Sequence, residues 1–207
     1  MLELSCLAVG SFQSNCYLLQ EGDDGEAALV DPGAEPERII KWVDGAPISK
    51  ILITHGHHDH VGALAEVRMA LNVPVFGHAL DAEQFDLEFD DILAAGSMLA
   101  IGSMDLEIHE IPGHTPGSIA FALREDPFER AIVGDAIFPG GPGHTRSHEA
   151  LQQLLDALAR TVFTWPDNVM LYPGHGEATS VGAEREAFER MRSQDMPADL
   201  YGDVTWR

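Results

Sequence analysis

Apolar positions along the first thirty residues come in three short runs, 2–9, 16–20 and 27–30, separated by polar or glycine-containing turns. This spacing predicts an opening antiparallel meander, closed by Asp31-Pro32-Gly33. The period then changes. Ile39, Ile40 and Val43 recur at helical spacing in 35–43, behind a first turn with acid and proline. A buried-type strand over 49–53 follows, then a helix over 62–71 with Leu64, Val67, Ala70 and Leu71 on one face, and a strand over 73–76. The acidic stretch 81–93 predicts one short helix plus loop.

Further strands are expected at 97–101, 104–111, 119–123, 131–133 and 169–172. The clearest amphipathic helix is 149–162, striped by Leu151, Leu154, Leu155 and Leu158, and a last helix covers 181–191. Strand-rich halves each finished by helices, without strict alternation, point to an α/β fold. In it two sheets pack face to face with helices outside, an αββα sandwich of four layers.

Size and composition fit one compact domain over 1–207, with 196–207 as a C-terminal tail. No apolar segment approaches the ~20 residues of a membrane span, and the acidic start argues against a signal peptide. Cys6 and Cys16 read as small buried hydrophobes of a reduced, cytoplasmic protein. Net charge is −22, from 34 acids against 12 bases, which disfavours a nucleic-acid partner. A small-molecule substrate is the expected partner, with no membrane contact.

Residues 54–60 read THGHHDH, four histidines and an aspartate in seven positions directly after an apolar run. Neutral histidine and ionised aspartate are ligands for zinc, iron and manganese. Three more strands end in the same way: His114 within PGHTPGS, Asp135 after Gly134, and His175 within PGHG. Glycine beside each side chain lets the backbone turn sharply and a ligand approach it. The economical assignment is two divalent ions, zinc first, with iron or manganese as alternatives. His55, His57 and His114 would hold one, and Asp59, His60 and His175 the other, with Asp135 bridging. His58 is expected to point away.

THGHHDH matches the HxHxDH signature of the metallo-β-lactamase fold superfamily, and His114, Asp135 and His175 follow in its order. SNCYL at 14–18, PGHTPGS, GDAIF and PGHGE resemble small relatives of hydroxyacylglutathione hydrolase (glyoxalase II). The resemblance implies a dinuclear hydrolase in which a metal-bridging hydroxide cleaves a thioester or related ester, with Asp59 orienting the hydroxide. It also implies that an aspartate at 135 stands where antibiotic-hydrolysing members carry cysteine or serine.

Weaker expectations concern the surroundings. His144, Arg146 and Asn15 are candidate substrate contacts, the first two beside a helix-capping turn at Ser147. Thr54 and Thr115 are expected to hold ligands in place. His78 and His109 fall in strand contexts and read as structural. Tyr201 and Trp206 in the tail fit docking onto the body, as a cleft wall or a homo-oligomer contact, as well as they fit a frayed end. Rival functions are an iron-dependent persulfide dioxygenase using His55, His114 and Asp135, an RNA-processing nuclease, and a non-catalytic metal-binding protein.

Overall fold

Side chains of successive strand residues point to opposite faces, and in this chain both faces of the central strands are apolar. Tyr17 and Leu19 enter one core while Cys16 and Leu18 enter another; Ala28 and Val30 part from Ala27 and Leu29 in the same way. Ile119, Phe121 and Leu123 face the first of these cores, with Ala120 and Ala122 on the opposite side. Such strands need cover on both sides, and the structure, a computed structural model describing residues 2–124 and 127–206, supplies it. Met1 and Arg207, the ends of the expected domain and tail, lie outside the described residues.

One sheet contains β1 (Leu2–Val9), β2 (Ser14–Glu21), β3 (Ala27–Val30), β4 (Ile48–Leu52), β5 (Val75–Gly77) and β6 (Asp91–Ile92), in that spatial order. Its first three strands are antiparallel and the rest parallel. The second sheet begins with β7 (Met98–Ile101), β8 (Met104–Glu110), β9 (Ile119–Leu123) and β10 (Arg130–Gly134). After a ribbon of β11 (Ile137–Phe138) and β12 (Gly141–Pro142), β13 (Met170–Pro173) and β14 (Thr179–Ser180) complete it on the β10 side. α1 (Pro36–Trp42) and α3 (Leu64–Leu71) cover the first sheet; α5 (His148–Arg160) and α6 (Val181–Arg192) cover the second. α2 (His58–Val61) and α4 (Ala79–Phe85) are single short elements at the strand ends. This is the expected four-layer αββα sandwich.

Several local expectations need correction. The helix placed at 62–71 begins at Leu64, because His58–Val61 has already formed a turn of its own. The acidic 81–93 stretch holds α4 and also β6, whose parallel pairing to β5 no local period announces. His78 is not in a strand; it caps α4, its Nδ1 accepting from the Leu80 amide at 3.3 Å. Cys16 is buried but Cys6 is exposed, since β1 is an edge strand.

The tail is docked. Trp206 is 3% exposed and donates from Nε1 to Glu184 Oε2 at 2.7 Å, while Gly202 and Thr145 exchange backbone hydrogen bonds. No helix among the described residues is long and apolar enough to cross a membrane.

Candidate metal centre

Five strand ends meet at one edge of the sandwich. β4 runs into Thr54–His60, β8 into the His114 loop, β10 into Asp135 and β13 into His175, while β3 delivers Asp31. Backbone bonds sew the two sheets together there, Ile119 N to Thr54 O at 2.9 Å and Asn15 N to Gly174 O at 2.7 Å, while Gly174 N to Gly134 O at 2.9 Å ties the ends of β13 and β10 within the second sheet. Gly174 has to lack a side chain, since a Cβ would lie 2.0 Å from Asp135 Oδ1.

Three groups result, each with one ligand atom per residue within 4.8 Å of the others: His55, His57 and His114; Asp59, His60 and His175; and, behind them, Asp31 with His55 and His60. Asp135 stands between the first two, with Oδ2 3.6 Å from His114 Nε2 and 3.4 Å from His175 Nε2, and Oδ1 3.5 Å from His60 Nε2. The structure therefore brings all seven expected ligands together. His58, the first residue of α2, is exposed and turned away.

Hydrogen bonds on the outer nitrogens decide what the inner ones present. His60 Nδ1 donates to Asp31 Oδ2 at 3.0 Å, His114 Nδ1 to His144 O at 2.8 Å, and His175 Nδ1 to Phe12 O at 3.1 Å. Thr54 Oγ1 spends its proton on Asp31 Oδ2, so it accepts from His55 Nδ1 at 3.1 Å. Each neutral ring is left with an Nε2 lone pair aimed inward. His60 and His175 then face each other through Nε2 atoms 3.3 Å apart, and His57 Nδ1 meets His114 Nε2 at 2.8 Å. Converging lone pairs repel unless a proton or a cation lies between them. His55 Nε2 and Asp135 Oδ1 are buried without a hydrogen-bond partner among the described residues. The donor set and these two orphaned atoms fit divalent cations.

The electrostatics agree. Burial opposes charging His60, yet Asp135 and Asp31 outweigh it and push its pKa up to about 10. Asp135 and Asp59 likewise raise His175 to about 9. Burial pushes His55 well down and His57 to about 4. A hydrogen bond with His175 holds Asp59 at about 2. Despite its burial, Asp135 is kept well below the usual carboxylate range by the His175 and His60 rings.

Three outer residues behave differently from expectation or were missed. Asn15, expected at the substrate, is 5% exposed, and its amide donates to Pro173 O and Gly176 O at 3.0 Å each. It holds the His175 turn. Asp31, read from sequence only as the end of a meander, accepts from Thr54 N, Thr54 Oγ1 and His60 Nδ1. Asp81 was lost in an acidic stretch and is 1% exposed. His144 is half exposed and bonded to Asp203 at 2.9 Å. Arg146, 3.4 Å from His57 Nε2, lines a cavity of about 180 Å³ with His114, Gln84 and Gln153.

Comparison with known proteins gives concordant matches. Residues 9–191 match the family described as the metallo-beta-lactamase superfamily. The hydroxyacylglutathione hydrolase GloC of Haemophilus influenzae is 30% identical over 207 residues, covering 90% of this chain and 96% of its own length. Among solved structures, ETHE1 from Myxococcus xanthus superposes with a TM-score of 0.81 at 26% identity, over 93% of this chain and 86% of that one. A protein crystallised in a di-iron-bound form gives 0.70 at 30% identity, over 87% and 96%.

Proposed function

The chain belongs to the metallo-β-lactamase superfamily, and from that premise we propose that it is a dinuclear metal-dependent hydrolase cleaving a thioester or related ester. The observation that carries the reading is the double cluster, in which two three-residue ligand sets flank the single carboxylate of Asp135. Two divalent cations held there, zinc first and iron or manganese as alternatives, would supply the Lewis acidity that activates water and stabilises an oxyanion.

The chain's own residues do the rest. Asp59 is fixed by Ser14 Oγ, which donates to Oδ2 at 3.1 Å, and would help hold one ion while orienting the attacking water. Arg146, Gln84 and Gln153 form a polar recess beside His114 for a carboxylate-bearing thiol carrier. A thiolate leaves without help near neutral pH, so no dedicated general acid is needed. Thioester hydrolysis is supported by the GloC relative, which is as short as this chain. Cytoplasmic placement is supported by the unpaired Cys6 and Cys16.

An iron-dependent persulfide dioxygenase would need only His55, His114 and Asp135, leaving Asp59, His60 and His175 as a second ligand set without a purpose. Metal analysis followed by assay of S-lactoylglutathione, CoA thioesters and lactones tests the hydrolase reading. Two ions per chain with hydrolysis, both lost in Asp135→Ala, is the expected result. One iron per chain with oxygen uptake on glutathione persulfide would overturn it.

A further inference from the structure

We propose that Asp81 positions the His55–His57–His114 set by fixing the distance between the two loops that carry it. The proposal rests on the two-ion reading above. Asp81 lies in the first turn of α4, and its carboxylate is spread across both loops. Oδ2 accepts from Gly56 N at 2.7 Å, the amide between His55 and His57, and from Thr115 Oγ1 at 2.8 Å, beside His114. Oδ1 accepts from Gly117 N at 2.7 Å. A buried carboxylate is costly unless its oxygens are satisfied, and here they are satisfied only when both loops are in place.

The approach is close enough to constrain neighbouring residues. A Cβ on Gly117 would stand 2.6 Å from Asp81 Oδ1. One turn along α4, Phe85 packs edge-on against His57 at 5.3 Å and fills the space a Cβ on Gly56 would need. Positions four apart share a helix face, so α4 presents one face to this set alone. Asp31 braces His60 directly and His55 through Thr54. Asp81 touches neither His60 nor His175 among its hydrogen bonds, so its influence is confined to one ion.

Stepwise zinc titration of metal-free protein, wild type against Asp81→Asn, tests this. The amide turns an acceptor into a donor facing an N–H. One of the two sites is expected to weaken about 10–100-fold, the range for loss of a residue that orients ligands, with the other unchanged. Combined with His114→Ala, the substitution should weaken binding no further; combined with His175→Ala, the losses should add. A merely structural residue would weaken both sites alike, and that outcome, or unchanged affinity at both, overturns the proposal. Wild-type protein holding fewer than two ions would instead overturn the two-ion reading, and this proposal with it. If Asp81→Asn does not fold, Thr115→Val removes one arm of the network and carries the same comparison.

Discussion

His60 and Asp31 are joined through Nδ1 and Oδ2 at 3.0 Å, with both side chains essentially inaccessible to solvent. The bond fixes the tautomer of His60, because a ring donating from Nδ1 keeps its lone pair on Nε2. Asp31→Asn replaces a pure acceptor with a group that can also donate. Rotated with its NH2 toward His60, it would move the ring proton to Nε2, where a cation should bind. The expected loss is about 10–100-fold in affinity for the ion at Asp59, His60 and His175. Unchanged zinc affinity by isothermal titration would show that the tautomer is set elsewhere.

Metal-free protein should lose stability as pH rises. His60 and His175 have folded-state values raised to about 10 and about 9. Their contribution is complete below the unfolded histidine value of about 6.5 and disappears as pH climbs through 9 to 10. Asp59, lowered to about 2, contributes above about 3.8 and loses that contribution as pH falls toward 2. Loading metal at pH 7 should therefore expel protons, on the order of two per chain. Calorimetry in buffers of different ionisation enthalpy counts them, and a value near zero would contradict the protonation of His60 and His175 in the metal-free protein.

Away from the site, Glu26 provides a cleaner test of acid stability. Lys50 and Ser49 bond its Oε1 at 2.6 Å each and hold its carboxyl at about 2. Its contribution is present above the usual glutamate value and is lost as pH falls toward 2. Glu26→Gln should flatten the acid limb of the stability curve below about pH 4.5. Urea midpoints across that range measure it.

Trp206 anchors the tail to α6. Trp206→Phe keeps a ring against Phe188 but leaves Glu184 Oε2 with only the Gly140 amide, at a cost of about 1–3 kcal/mol. Trp206→Ala adds a cavity and should cost about 3–5 kcal/mol. Chemical denaturation reads both, and an unchanged stability in Trp206→Phe would mean that the hydrogen bond contributes nothing.

The converging histidines and aspartates and the layered fold were legible in the chain because both repeat locally. Histidine and aspartate beside glycine recur after four separate apolar runs, and the strand runs are short and bounded. Asn15 was legible as a motif residue but not in its role, since only the packing of β2 against the His175 turn shows where its amide goes. The docked tail, likewise, places Trp206 on a buried acid, Glu184, a third of the way along a helix, and pairs Gly202 with Thr145, partners distant in sequence.

By themselves, the residues pointed to the sandwich and to seven side chains that converge, with His58 set apart, because period and spacing are properties of neighbours along the chain. Tertiary structure alone decided which acids are structural. Asp31 and Asp81 look like any of 34 acids until folding removes them from water. A carboxylate's function follows from which donors surround it, and those donors arrive from separate loops: the Thr54–His60 segment for Asp31, that segment and the Thr115–Gly117 turn for Asp81.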